Sequence, residues 1–327
     1  MSAPSSPSAF SAGAVLSQPR FLSIADTPRE DLVRILDEAI RLRAERRSGK
    51  RHDRVLVGKT LAMLFEKPSL RTRASFEQAV VELGGHAMVL GQHEVGLGER
   101  EPARDVAAVL SGMVDGIAAR VFEHDALREL ADHADVPVIN MLSDLAHPCQ
   151  ALADALTIVD EFGRDLGGRM VSFIGDGNNV ARSLAMMCGR LGMNFTLASP
   201  PDYALDQAFA DRLMARAPDM DLRLTHDAEA AVRNADVIYT DTFVSMGQEG
   251  EKPKRMRAFE GFQVSEGLLE QARRHAIVMH CMPAYRGVEI TAEVFDGSRC
   301  RAIPQAHNRL HAQKGLLALL MGSPARP

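Results

Sequence analysis

Residues 69–73 read Ser-Leu-Arg-Thr-Arg and stand where an apolar run, 60–65, gives way to a helical pattern. Ser69 and Thr72 carry hydroxyls and Arg71 a rigid guanidinium fork, while the first turn of a helix adds unpaired backbone N–H groups. Together these are the parts of an anion site, because a helix start attracts negative charge and an arginine fork matches phosphate oxygens two at a time. The same five residues would also serve a capped helix with solvated arginines. His147-Pro148-Cys149-Gln150 marks a second junction, after the run 136–141. Proline suits a first helical position, and His147 and Gln150 can then face the crevice above the strand ends, where open α/β sheets hold ligands. A capping histidine is the alternative.

Three more junctions lie in the second half. Gly175-Asp176-Gly177-Asn178-Asn179 follows the run 170–174 and looks like a nucleotide-binding turn, but Val180 occupies the third glycine position of GxGxxG. The turn is therefore read as aiming Asn178 or Asn179 at a ligand, with a nicotinamide-dependent oxidoreductase as the competing class. After the run 237–240, Asp241 could hold an amine, and Ser245 with neighbouring N–H groups a carboxylate; an ordinary loop with a helix cap fits equally. The polar, basic stretch 248–257 is expected to be a mobile surface loop. His280-Cys281-Met282-Pro283 follows the run 277–279. Adjacent residues on an extended chain face opposite ways, so His280 is poorly placed to activate Cys281. That thiol reads as lining a ligand site or filling core rather than as a covalent nucleophile.

Positioning these junctions requires a framework of strands and helices. Apolar runs at 60–65, 86–90, 116–121 and 136–141, then 170–174, 194–198, 221–224, 237–240 and 277–279, alternate with helical stretches. Such alternation implies parallel sheets covered on both faces, here α/β in two doubly wound domains of four and five strands. A length of 327 residues suits two domains. Leu152, Ala155, Leu156, Val159 and Phe162 space a helix over 148–162 that could bridge them. A first helix is expected over 28–47, with Thr27 as N-cap and Glu30 completing a capping box, and a last one over about 305–321.

Composition removes several function classes. Lys+Arg 38 against Asp+Glu 43 gives a net charge of −5, with no global basic field for nucleic acid or anionic lipid. No apolar run approaches the roughly 18 residues of a membrane span. Cys149, Cys188, Cys281 and Cys300 lie far apart and form no metal-ligand spacing, so they read as reduced thiols of a cytoplasmic protein. Residues 1–20, rich in Ser, Ala and Pro, are expected to be a disordered tail rather than a signal or transit peptide.

Taken in order, SLRTR at 69–73, Arg120 ending GIAAR, HPCQ at 147–150, GDGNN at 175–179, DTFVSMG at 241–247, HCMP at 280–283 and NRLH at 308–311 resemble the carbamoyltransferases, specifically the ornithine carbamoyltransferases. Each motif is weak alone, but the set spans nearly the whole chain in family order. The resemblance implies an N-terminal carbamoyl-phosphate domain, 21–155 completed by 305–327, and an ornithine domain, 156–304. It implies a final helix packing back on the first domain, a site in the interdomain cleft, a homotrimer or a multiple of one, and no metal or organic cofactor. By analogy Ser69, Leu70, Arg71 and Thr72 hold the phosphate. Arg120 and His147 hold the carbamoyl oxygen, and Gln150, with Pro148 and Cys149 beside it, the carbamoyl nitrogen. Asn179, Asp241, Ser245 and Met246 hold the amino-acid end of ornithine, while Cys281, Met282 and Arg309 close over carbamoyl phosphate and the reacting amine.

Four positions depart from the family pattern. Leu70 replaces the usual threonine, and Met282 a leucine. Gly96 stands where a Gln or His reaches over from a neighbouring subunit, with Gln92 and His93 near enough to substitute, and His307 replaces an acidic residue. The implied reaction is attack of the ornithine δ-amine on carbamoyl phosphate, giving citrulline and phosphate, in arginine metabolism. N-acyl-ornithine, putrescine and aspartate are the rival acceptors, and a catalytically silent paralogue is the rival without chemistry. Leu70 and Cys149 also suit the acyl-ornithine enzymes, whereas Asp241 with Ser245 supplies sites for both charges of a free amino acid.

Overall fold

The structure is a computed structural model, described over residues 16–97, 100–245 and 247–322. β1 (Arg20–Phe21), β2 (Thr60–Phe65), β3 (His86–Gly91), β4 (Gly116–Arg120) and β5 (Val138–Leu142) form an all-parallel sheet in the order β1-β5-β4-β2-β3. β6 (Met170–Ile174), β7 (Asn194–Ala198), β8 (Leu222–Thr225), β9 (Val237–Thr240) and β10 (Ile277–His280) form a second, ordered β10-β9-β6-β7-β8. The central strands β4, β6 and β9 are buried along their whole length. That is why they read as mainly apolar runs: a parallel sheet is covered on both faces.

Strand order fixes where each site must lie. In the first sheet the chain leaves β2 toward β3 and then crosses to β4, so the order reverses between β2 and β4. In the second it leaves β6 toward β7 and β8, then crosses to β9. At such a reversal the two outgoing loops diverge and leave a crevice beyond the strand ends. Phe65 pairs with Arg120 and Ile174 with Thr240, so the Ser69 loop and Arg120 flank the first crevice and the Gly175 and Asp241 loops the second.

The helix Pro148–Phe162 bridges the lobes, and the final helix Ala302–Met321 packs on it, on Arg29–Arg47 and on Leu70–Glu82. One hydrophobic core runs through this seam, including Leu36, Leu152, Leu156 and Leu316 together with Phe173 of the second sheet. Gly315 makes the packing possible: a Cβ there would sit 2.7 Å from the Ile35 carbonyl oxygen and 2.8 Å from the Ala39 nitrogen.

Several sequence-based expectations change. Residues 1–15 of the expected 1–20 tail lie outside the described residues, but Leu16 is buried, the Ser17 backbone N–H donates to Asp31 at 2.9 Å, and Arg20 pairs in β1. A two-residue strand has no periodicity to read, and it exists only because β5 offers an edge. Thr27 is not an N-cap. Its hydroxyl donates to the Ser23 carbonyl at 2.8 Å, and the helix begins after Pro28 with no side-chain cap. The stretch 248–257 is not a plain loop either: it folds as a short turn of helix, Glu249–Glu251, and the helix Lys252–Ala258.

Candidate active site

The two crevices open into one cleft of about 810 Å³ between the lobes, within the range of small-molecule sites. Its first-lobe wall is built by three strand exits. Ser69 caps the helix Leu70–Glu82, accepting from the Thr72 backbone N–H at 3.4 Å, so the helix start and its free N–H groups face the cleft mouth. Arg120 ends β4 at a register shift between Ala119 and Arg120, a local irregularity that re-aims the side chain at the strand end. His147 precedes the helix Pro148–Phe162, with Pro148 at its first position and the His147 backbone N–H donating to Ser183 Oγ at 2.8 Å.

Arg309 arrives from the final helix. One end of its guanidinium donates to Gln150 Oε1 at 2.8 Å and the other to Thr72 Oγ1 at 2.9 Å. Burial, then the neighbouring Arg309 and Arg71, push Arg120 down to about 10. Burial and the same three arginines hold His147 well below the usual imidazole range, so it is neutral at pH 7. Arg120 Nε, Arg309 Nε and His147 Nδ1 are buried with no partner among the described residues. Three guanidiniums kept together with spare donors make a strong anion site, because an anion lowers their mutual repulsion and satisfies those donors.

The second-lobe wall is polar and mixed. Asn178 caps the helix Asn179–Leu191, and its side-chain N–H donates to Asp241 Oδ2 at 3.0 Å. Asp241 Oδ1 accepts from the Thr242 N–H at 2.8 Å and from the Cys281 thiol at 3.0 Å. A carboxylate accepts about four hydrogen bonds, so one position stays open for an ammonium. Asn179 donates to the Ser143 carbonyl at 2.6 Å, which ties this wall to the first lobe. Burial, then the Asp241 charge, push the Cys281 thiol well above its ordinary value, which removes it as a thiolate nucleophile.

His280 faces away, as the extended chain requires. Its Nε2 lies 3.1 Å from Glu289 and its Nδ1 accepts from the Met282 N–H at 2.9 Å. Asp241, His280 and Cys281 do bring donor atoms within 4.8 Å of one another, but both His280 nitrogens are engaged within the protein and the Cys281 proton is held on Asp241. Met282 takes φ 61° and its carbonyl accepts from Arg71 Nη2 at 2.8 Å, a direct bond between the lobes across the cleft.

Of the residues singled out from sequence, Ser69, Leu70, Arg71, Thr72, Arg120, His147, Asn179, Asp241, Ser245, Cys281, Met282 and Arg309 line the cleft. Pro148, Cys149 and Gln150 are buried behind it, and Met246 lies outside the described residues. The Cys149 thiol donates to the Asn140 carbonyl at 3.2 Å and is pushed up to about 12 by burial. Gln150 donates to Asp154 at 2.8 Å while accepting from Arg309. Asp154 also accepts from Gln305 at 2.6 Å and from Tyr239 at 3.3 Å, and Gln305 accepts from the His280 N–H at 2.9 Å. A continuous buried chain of bonds therefore runs from Thr72 to His280, the last residue of β10 and the neighbour of Cys281.

The reading by motif missed Lys67, Glu249, Lys252, Met256 and Tyr285 on the cleft wall. It also missed Arg255, which pins the 252–258 helix by donating to Asp176 at 2.7 Å and to the Phe243 carbonyl at 3.1 Å. Lys67 adjoins the Ser69 loop and was legible; the others lie in segments whose polar composition resembles any surface.

Comparison with known proteins decides the family. The carbamoyl-P binding domain of aspartate/ornithine carbamoyltransferase matches residues 20–160, and its Asp/Orn binding domain matches 167–320. The chain belongs to this family. An ornithine carbamoyltransferase of Methanopyrus kandleri is 48% identical over 309 residues, covering 94% of this chain and 98% of the relative. One of Haloquadratum walsbyi is 49% identical over 301 residues, covering 92% and 97%. The structure of ornithine carbamoyltransferase from Pyrococcus furiosus superposes with a TM-score of 0.90 at 44% identity, covering 96% of this chain and 99% of that one.

Against the carbamoyltransferase pattern, Leu70 is 79% exposed at the cleft mouth, so its missing hydroxyl leaves no buried group unpaired. Gln92, His93 and Gly96 do not line the cleft of the single chain. His307 is exposed on the final helix, and nothing in the structure explains its replacement of an acidic residue.

Proposed function

We propose that this carbamoyltransferase moves the carbamoyl group of carbamoyl phosphate to the δ-amine of L-ornithine, giving L-citrulline and phosphate. The observation that carries the reading is the convergence of Arg71, Arg120 and Arg309 around neutral His147, facing Asp241 across one cleft.

The chemistry asks for donors rather than a nucleophile. The amine lone pair attacks the carbonyl carbon; a C–N bond forms, negative charge gathers on the carbonyl oxygen, and the C–O bond to phosphate then breaks. The amine's surplus proton leaves with phosphate or solvent. In this reading Arg120 and His147 donate to the carbonyl oxygen, while Ser69, Leu70, Arg71 and Thr72 receive the phosphate through backbone and side-chain donors. A preorganised donor of this kind contributes about 3–4 kcal/mol to the transition state. Gln150, Pro148 and Cys149 act from behind the wall. Gln150 orients Arg309, and contact with the carbamoyl nitrogen requires its carboxamide to turn toward the cleft.

The attacking amine must be neutral, which costs roughly 4.6 kcal/mol at pH 7 for a lysine-like amine. A carboxylate beside it would raise that cost. Asp241 is therefore assigned to the α-ammonium, which stays charged, with Asn179, Ser245 and Met246 around the α-carboxylate. The protonated Cys281 thiol borders the reacting amine together with Met282. A homotrimer, or a multiple of one, is the assembly we propose, supported by the family pattern and by exposed Val57, Val81 and Met113 on the first lobe. Four unpaired cysteines suit a reducing, cytoplasmic compartment.

N-acyl-ornithine is the second reading, favoured by Leu70 and Cys149. An acylated amine carries no charge for Asp241, which weighs against it. Carbamoyl transfer measured with ornithine, N-acetylornithine, putrescine and aspartate in parallel tests both. Product with ornithine alone is expected. Product only with the acylated amine would transfer the assignment to it, and none with any of the four would mean a silent paralogue.

A further inference from the structure

A second cavity, of about 510 Å³, shares no lining residue with the cleft. Arg20 of β1 and Arg128 of the helix His124–His133 reach it from the first lobe. Arg190 and Arg216, in the last turns of the helices Asn179–Leu191 and Gln207–Arg216, reach it from the second.

Cations at helix C-termini are common, since they complement the helix dipole. The dipole does not account for what these two do. Arg190 Nη2 and Arg216 Nε both donate to one acceptor, the Ala25 carbonyl, at 2.8 and 3.1 Å. The carbonyl draws two guanidiniums together, and among the described residues neither has a carboxylate within 4.0 Å. Burial, then the nearby Arg216, shift Arg190 downward, and its Nε is buried with no partner among the described residues. The acids nearby offset this charge only in part: Asp132 is taken by Arg20 at 2.7 Å, and Glu30 and Asp26 each act on Arg190 less strongly than Arg216 does. Among the described residues Arg128 pairs only with Asp125, at 3.9 Å and almost fully exposed.

We propose that this cavity is a second anion site, taking a small polyphosphate whose oxygens bridge Arg20 and Arg128 of the first lobe to Arg190 and Arg216 of the second. Forks arriving from several directions suit tetrahedral phosphate oxygens, and several formal negative charges are needed to balance the arginines. The helix that carries Arg190 in its last turn begins at Asn179 on the cleft wall, so an occupant acts on the relation between the lobes without touching the reacting groups.

Titration calorimetry of the full chain with inorganic pyrophosphate tests this, and it needs no acceptor amine, so the outcome does not depend on the proposed reaction. Two pyrophosphates per chain are expected, one in the cleft and one here. Arg71→Gln should weaken the first and leave the second. Arg190→Gln with Arg216→Gln should abolish the second and leave the first. Arg128→Gln, at an exposed position that does not threaten folding, should weaken the second about tenfold, and that binding should fall steeply with added salt. Stoichiometry and affinity unchanged from wild type in both the double variant and Arg128→Gln would overturn the proposal, as would a single site in wild type that Arg71→Gln removes.

Discussion

The two lobes differ in strand order, share one kind of reversal and hold opposite chemistry. Each is a five-stranded parallel sheet with its strand order reversing beside the central strand, and each offers its ligand the loops leaving two neighbouring strands. At the first reversal the loops supply Arg71 and Arg120, and Arg309 joins them from the far end of the chain; at the second they supply Asp241, Asn178 and Asn179. The first wall keeps three positive charges together with spare donors, while the second keeps one carboxylate nearly saturated. The fold thus chooses the place, and a few loop residues choose the charge of what binds there. One wall is suited to stabilising charge that develops during reaction, the other to holding charge that persists.

That contrast makes unequal predictions for the two walls. The largest effect is expected on the first: Arg120→Gln should lower kcat about 10²–10³-fold with ornithine KM little changed, because it removes a donor used in the transition state. Steady-state kinetics check this, and a purely KM effect would break the comparison. On the second wall, Asp241→Asn should raise ornithine KM roughly ten- to hundredfold, the worth of a hydrogen bond to a charged group. A fall in kcat at unchanged ornithine affinity would place Asp241 at the reacting amine instead.

A third prediction concerns the seam between the lobes. Burial pushes Asp154 up to about 7, against an ordinary carboxylate value near 4. The folded chain holds this proton more tightly than the unfolded chain, so the contribution is full below about pH 4 and is lost as pH rises toward 7. Asp154→Asn should flatten the dependence of urea midpoints on pH across that window. An unaltered slope would mean that Asp154 is ionised in the folded chain throughout. The smallest effect belongs to Leu70→Thr. Restoring a hydroxyl at an exposed helix start should lower carbamoyl phosphate KM only a few-fold, the worth of one neutral hydrogen bond. A much larger gain would make Leu70 a determinant of specificity.

The residues differ in how legible they were. β2, β6, β7 and β9 match their apolar runs residue for residue, because near-complete burial admits only small polar side chains such as Ser172 and Thr196 within them. β1 was invisible, since two residues carry no pattern. The Thr27 capping box failed because the helix begins one residue later, after Pro28, which has no side-chain acceptor to cap it. Arg255 read as a solvated loop charge; its partner Asp176 is 79 residues away, and the two meet only once β6 and β9 lie side by side.

Sequence by itself determined the parallel-sheet architecture, through apolar runs of strand length, and the residue types at each strand exit, through their order along the chain. Tertiary structure decided which exits meet. Arg309 reaches Thr72 and Gln150 only because the last helix folds back on the first lobe, a contact across 237 and 159 residues. It also decided protonation: the neutrality of His147 and of the Cys281 thiol follows from burial and from neighbouring charge, and neither exists until the chain has folded.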